Sequence, residues 1–390
     1  MSDKPTFLFI SCQVGMEKAI KAELAVSHPH LHPAFARPGF LTFKAASEHP
    51  VDEKLELRSV LARTYGFSLG KLTAEDPATL PAQVWSLAGD TPYSHLHVWQ
   101  RDARPVGERG YEPSLTPEAA AIGEAIVAAR PARESSEEAA SPPRPIKVNQ
   151  TASRGARVLD VVIVEPGEWW IGWHRAESLV QRWPGGIFPQ QLPEHAVSRA
   201  YLKMAEALEW SQMPVKRGEL CAELGSAPGG SCQALLDRGL KVIGIDPAEM
   251  KPELLENENF RHIRKRSQDV ARREFSEVRW LAADLNVPPN YTLDSVEAIV
   301  KHPGVHIRGL LLTLKLPEVE MTRDLPKFLE RIRSWGYKFI RARQLPHNRQ
   351  ELCVAALKNR AVRRERHLRG KTTGKAAGKT AKRPAAKKGS

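Results

Sequence analysis

The stretch ELGSAPGGSCQALLDRGLKVIGIDPAEM, residues 223–250, decides the fold. It runs from an apolar strand through a glycine-rich turn and a short helix to a second apolar strand closed by an acidic residue, the opening of a nucleotide-cofactor site in an α/β sheet. Outward from it, strands are expected at 219–225, 241–246, near 261–267, and at 278–285, 307–316, 337–344 and 351–358, with helices at 229–238 and 320–335. The second helix sets Met321, Leu325, Phe328, Leu329, Ile332 and Trp335 on one face. Apolar strands alternating with helices indicate a parallel sheet. Only residues 346–350 join the last two strands, which permits an antiparallel neighbour but no parallel crossover.

The turn is Gly225-Ser226-Ala227-Pro228-Gly229-Gly230. A dinucleotide fingerprint needs its middle glycine where Ala227 stands, and a P-loop needs Lys and Ser or Thr where Ser231 and Cys232 follow Gly230. Neither polyphosphate reading fits. What remains is a tight turn that seats a small ligand against the strand end, with Pro228 expected at the helix start. Asp246 closes the next strand, where a carboxylate can accept both ribose hydroxyls of an adenosine. The competing reading makes it a cap for the turn into Pro247, binding nothing. With an antiparallel last strand, the cofactor read from this region is S-adenosylmethionine, and Asp269, after the third strand, is a candidate for its adenine side.

Four polar residues are expected to converge on the same strand-end cleft: Lys203 in SRAYLKMAEAL, Asp284 in RWLAADLNVPP, Lys315 in LLLTLKLPE and Glu351 in HNRQELCVAAL. Lys315 lies in an apolar run, so desolvation and a nearby second cation are expected to depress its pKa and make it a general base. Taken singly, each residue reads first as a surface ion-pair partner or, for the lysines, a snorkelling side chain; only their co-occurrence points to a site.

The rest of the chain bounds the function. At 390 residues, two or three domains are expected. No apolar run approaches a membrane span, and the first residues lack the pattern of a signal peptide, so a cytoplasmic protein is expected. Cys12, Cys221, Cys232 and Cys353 are scattered without metal-ligand spacing, which argues against a disulfide framework and a zinc site. Of the net charge of +13, residues 361–390 carry +10. Rich in Lys, Ala and Gly, that tail is expected to be disordered and to attract phosphate backbones, or simply to be solvated. At the other end, 6–13 reads as a strand, Met16, Ile20 and Leu24 as one helix face, and ARPGFLTFKAA as a turn and strand, a β-α-β start. HLHVWQRD is a further strand, 130–147 a polar loop or linker, and 157–175 a hairpin about Pro166-Gly167-Glu168. Trp169, Trp170, Trp173 and Trp183 are candidates for base stacking or, alternatively, for packing a domain interface.

Taken together, SRAYLK (198–203), ELGSAPGG (223–230), GIDPAEM (244–250), AADL (282–285), LKLP (314–317) and RQLPHNRQEL (343–352) resemble the FtsJ-like (RrmJ-type) RNA ribose 2′-O-methyltransferases, most closely the RlmM branch. The resemblance implies a Rossmann-like methyltransferase sheet over 183–360. Before it would stand an α+β RNA-binding region, ferredoxin-like over 1–60 and THUMP-like over 61–182. It implies methylation of a cytidine ribose in large-subunit (23S) ribosomal RNA or its precursor, by in-line transfer from S-adenosylmethionine. Lys315 would take the hydroxyl proton, Lys203 and Glu351 would orient the hydroxyl, and Asp284 would hold Lys315 near the methionine moiety. Ser198, Gly225, Ala227, Pro228, Gly229, Gly230, Asp246, Asp269 and Asp284 would contact the cofactor. No metal and no membrane partner are implied, and a monomer is favoured. The chain departs from the family at the Pro-, Ala- and Glu-rich segment 100–147, in the basic tail, and at Ser231, where an aromatic residue is usual. The same chemistry on a transfer RNA, and a non-catalytic RNA-binding assembly factor, are the alternatives.

Overall fold

The computed structural model describes residues 6–53, 55–131 and 145–359. The basic tail and most of the polar loop at 130–147 therefore lie outside the described residues. Among the described residues, no helix is long and apolar enough to cross a membrane.

The amino-terminal half comprises β1 (Phe7–Ser11), α1 (Glu17–Ser27), β2 (Leu31–Arg37), β3 (Phe40–Ala45), β4 (Thr64–Thr73), α2 (Leu80–Ala88), β5 (His95–Gln100), α3 (Pro117–Ala128), β6 (Lys147–Val148), β7 (Arg157–Glu165) and β8 (Glu168–Arg175). Its strands form one sheet in the order β2-β3-β1-β4-β8-β7-β5-β6. The start is β-α-β-β, with one strand more than expected, because Pro38-Gly39 turns β2 back as an antiparallel partner of β3. β4 pairs with β1 on one side and β8 on the other, so the sheet runs unbroken across residues 60–61. Lys147, expected at the end of a loop, instead enters the sheet beside β5. The tryptophans serve packing: Trp169 and Trp183 are buried, Trp170 lies against Phe35 and Phe40, and Trp173 against Phe67 beneath the Arg157 guanidinium.

The second half comprises α4 (Ala200–Ser211), β9 (Leu220–Leu224), α5 (Gly230–Asp237), β10 (Lys241–Ile245), α6 (Pro252–Leu255), β11 (Phe260–Ile263), β12 (Trp280–Ala283), α7 (Pro289–Val300), β13 (Gly309–Lys315), α8 (Leu325–Ser334), β14 (Phe339–Arg343) and β15 (Glu351–Leu357). The sheet order is β11-β10-β9-β12-β13-β15-β14. All neighbours are parallel except β15, which runs antiparallel to both β13 and β14. This is a Rossmann-like α/β sheet, with the antiparallel strand expected from the short final link.

Two local readings change. Pro228 is not at the helix start: α5 begins at Gly230 after an Gly229 cap, because the turn needs Gly229 at φ +122° before the chain can coil. The helix expected from residue 320 is a 3-10 segment over Val319–Asp324 followed by α8, so Met321 precedes the α-helical face. Three helices of this half, the one-turn α6 among them, lay outside the periodicity reading. α4 is buried nearly all round, which erases an amphipathic stripe. α7 mixes Asn, Thr, Asp and Ser with Leu293, Val296 and Ile299, yet the parallel pairing of β12 with β13 requires a crossover.

The sheet order places the site. Strand order reverses at β9, whose neighbours β10 and β12 lie on opposite sides, and a crevice opens at the carboxyl ends of these strands. β15 runs the other way, so its first residue, Glu351, reaches the edge where β13 ends.

Candidate active site

Lys315 ends β13 and stands opposite Glu351 in the β13–β15 register. Directly opposed residues on antiparallel strands have neighbouring Cβ atoms, so the two side chains must meet. Asp284 follows β12 at the same edge, and Lys203 reaches in from the buried face of α4. The four close a ring of alternating charge. Lys203 Nζ lies 2.5 Å from Asp284 and 2.6 Å from Glu351. Lys315 Nζ lies 3.1 Å from Asp284 and forms a shorter ion pair with Glu351. Lys203 is 9% exposed and Lys315 24%, which leaves Lys315 the lysine facing solvent.

The charge state of Lys315 is the reverse of the sequence expectation. Burial does pull its pKa down, but the carboxylates of Asp284 and Glu351 outweigh burial and raise it above the ordinary lysine value. The sequence reading weighed a second cation; the structure sets two anions against the ammonium. Burial likewise opposes the charge on Glu351, but Lys203 and Lys315 hold its carboxyl down at about 2.

Lys315 and Glu351 line a cleft of about 750 Å³. Residues 286–288, 315–317 and 349–351 form one wall, and residues 13–16 and 105–108 of the amino-terminal half form the other. That volume lies within the usual range of ligand pockets.

Beside the ring is the glycine turn. Gly225 has φ +77°, and a Cβ there would stand 2.6 Å from the Asp284 carbonyl oxygen. A Cβ on Gly230 would stand 2.2 Å from Ser198 Oγ. The Ser198 hydroxyl is itself buried without a hydrogen-bond partner, and no side chain caps the start of α5. An orphaned hydroxyl and free helix N–H groups in one place are a fit for a polar ligand. Asp246 accepts from Ala227 N at 3.2 Å and from Ala248 N at 2.8 Å, so it braces the glycine turn and caps its own. Asp269 is exposed, in a 3-10 turn after β11.

Several residues here carry no local sequence signal. Glu223, in β9, is fully buried, and burial pushes its carboxyl up to about 8. Cys232 Sγ lies 2.9 Å from it. Arg199 pairs with Glu112 at 2.5 Å and donates to the His347 carbonyl at 3.0 Å, while His347 Nδ1 is 3.1 Å from Glu112. Among the described residues, a metal-compatible set occurs elsewhere, at His97, Asp160 and His174 in the first sheet. There His174 is held at both ring nitrogens, by Asp160 at 2.6 Å and by the Gln181 carbonyl at 2.7 Å, as a buried hydrogen-bonded cation would be. All four cysteines are free and buried.

The model of the family described as FtsJ-like methyltransferase matches residues 196–328. Residues 196–328, about a third of the chain, thus resemble an FtsJ-like methyltransferase domain. The cofactor of this domain is S-adenosylmethionine, and the matched segment holds Ser198, Lys203, the glycine turn, Asp246, Asp284 and Lys315. Glu351 comes after it. Two curated relatives are both named Ribosomal RNA large subunit methyltransferase M. That of Halorhodospira halophila is 32% identical over 45% of this chain and 51% of its own length. That of Laribacter hongkongensis is 32% identical over 47% and 54%. The chain thus spans about half the length of the curated relatives it matches. TrmN from Thermus thermophilus aligns over 90% of this chain and 99% of its own at 15% identity, with a TM-score of 0.31.

Proposed function

We propose that this chain is an S-adenosylmethionine-dependent RNA ribose 2′-O-methyltransferase whose substrate is large-subunit (23S) ribosomal RNA or its precursor, modified at a cytidine. One observation carries the reading: two lysines and two carboxylates close a charge ring at the sheet edge, beside a glycine turn with an unpartnered Ser198 hydroxyl. The names of the curated relatives supply the RNA class.

Ser198, the turn 225–230, Asp246 and Asp269 would hold the cofactor. When bound, it supplies an electrophilic methyl group on a cationic sulfur, whose charge disfavours a neighbouring ammonium. Lys315, the more exposed of the ring's two lysines, is the base that takes the ribose hydroxyl proton once it has lost its own. Glu351 and Lys203 hold the hydroxyl and the lysine in register, and Asp284 fixes Lys315 from the cofactor side. The amino-terminal half is the RNA-binding region, ferredoxin-like and THUMP-like in descent. The compartment is the cytoplasm, where such RNA is found.

The test is methyl transfer from labelled S-adenosylmethionine to unmodified total RNA, with wild type beside Lys315→Ala, followed by mapping of alkali-resistant sites. Label in large ribosomal RNA that the substitution abolishes is the expected result. Label confined to another RNA would replace the substrate and keep the chemistry. Cofactor binding without transfer to any RNA would overturn the enzymatic reading.

A further inference from the structure

We propose that Gln13, in the amino-terminal half, is a positioning residue for Glu351: it fixes the loop that delivers this carboxylate to the two lysines. The inference rests on the reading of the charge ring as the reaction centre. It makes the amino-terminal half part of the catalytic apparatus as well as an RNA-binding region.

The loop between β14 and β15 poses a problem of hydrogen bonding. Residues 344–348 are buried one after another, Pro346 has no N–H, and no strand pairs with them. Buried carbonyls in such a loop must find partners elsewhere. That of His347 accepts from Arg199, and those of Leu345, Pro346 and Asn348 reach into the other half of the molecule. The Gln13 side chain, 5% exposed, sets Nε2 at 2.6 Å from the Asn348 carbonyl, 3.1 Å from that of Leu345 and 3.3 Å from that of Pro346. Gln344 N donates to the Val60 carbonyl at 2.7 Å, and Glu112 holds the His347 ring.

From Gln13 the contacts lead to the ring. Leu345 N donates to Asn348 Oδ1 at 2.9 Å, which turns the amide so that Nδ2 points to Glu351 Oε1 at 3.4 Å. Glu351 then bridges Lys203 and Lys315. A buried amide that serves three carbonyls of one loop is costly to replace: Leu345 keeps a second donor in Asn348 N at 2.9 Å, but an apolar side chain leaves the Pro346 and Asn348 carbonyls unpaired. The loop would then relax, and Glu351 would move from Lys315.

A purely structural role predicts lost stability alone. A positioning role also changes the charge state of Lys315, since one of its two anionic partners recedes. The groups that face Lys315 are Asp284 at the end of β12 and Glu351 on β15, with Lys203 of α4 behind them and Glu108 and Arg349 lining the same cleft.

The experiment is trace acetylation of the full chain with acetic anhydride across pH, with Lys315 followed by mass spectrometry. Wild type, Gln13→Met, Asn348→Ala and Glu351→Gln are compared, each checked for folding by thermal melting. The expected result is a Lys315 midpoint about one unit lower in folded Gln13→Met, in the direction set by Glu351→Gln. If Gln13→Met does not fold, Asn348→Ala decides on the same readout. A folded variant that titrates as wild type overturns the proposal. In methyl transfer, kcat falls about tenfold in Gln13→Met with KM for S-adenosylmethionine unchanged, as expected for lost orientation. Acetylation needs no turnover, so a shifted midpoint in a protein that methylates no RNA would uphold the positioning and defeat the proposed function.

Discussion

Lys315 and Glu351 face one another across the antiparallel β13–β15 pair, and the ion pair this register forces sets the charge of the lysine. A base must be neutral to act, and Lys315 is held protonated above the ordinary lysine value. Methyl transfer at subsaturating RNA is therefore expected to climb with pH between 6 and 9, approaching about tenfold per unit, without a plateau. Glu351→Gln removes one anion and moves the curve to lower pH while lowering its height. A plateau below pH 7 in the wild type would show that Lys315 is not the base.

Glu223 is held protonated by burial, with its pKa at about 8. Its folded state binds a proton that the unfolded chain gives up near pH 4.5. Stability contributed by this proton is therefore present at low pH and lost as pH rises from about 4.5 to about 8. Glu223→Gln keeps the shape without the ionisation. It is expected to melt as wild type does at pH 4.5 and to be more stable at pH 8, by on the order of 3 kcal/mol. Equal melting shifts at both pH values would rule out the buried neutral carboxyl.

The carboxyl-terminal sheet was legible because its strands are continuous apolar runs and its turn is dense in glycine. The polarity of the last strand followed from loop length alone. The sign of the Lys315 shift did not, because burial is visible in GLLLTLKLP whereas the partner of Lys315 depends on a strand register set across a loop. Gln13, Glu112 and Arg199 were invisible for a stronger reason. Gln13 and Asn348 are 335 positions apart, and a single buried glutamine after a strand has no periodicity to betray it. In the amino-terminal half, the hairpin 157–175 announced itself by its turn, whereas its tryptophans left stacking and packing open, and in the structure Trp169 is buried while Trp170 and Trp173 pack half-buried against Phe35, Phe40 and Phe67.

Gly225 is required where the glycine turn leaves β9, at φ +77° and with the Asp284 backbone where a Cβ would go. Gly225→Ala is expected to cost about 1–3 kcal/mol in folding free energy. Because the clash pushes the turn from Asp284, it is also expected to weaken S-adenosylhomocysteine binding about tenfold or more, measured by calorimetry on the folded variant. Unchanged affinity would remove the turn from the cofactor site.

Arg63 and Asp102 form an ion pair with 3% and 1% of their side chains exposed, and Tyr111 donates a further hydrogen bond to the carboxylate at 3.0 Å. The pair lies where the two halves meet: the Arg63 carbonyl accepts from Arg343 at 2.7 Å, and Gly107 N donates to the Tyr111 carbonyl at 2.7 Å beside the cleft. Asp102→Ala strands a buried guanidinium and is expected to cost about 3–5 kcal/mol, read as a lower urea midpoint. Replacing both partners, Arg63→Met with Asp102→Leu, removes the stranded charge and is expected to recover most of that loss. If the double variant is no more stable than Asp102→Ala, the cost comes from the lost contacts of Asp102 and not from the charge left behind.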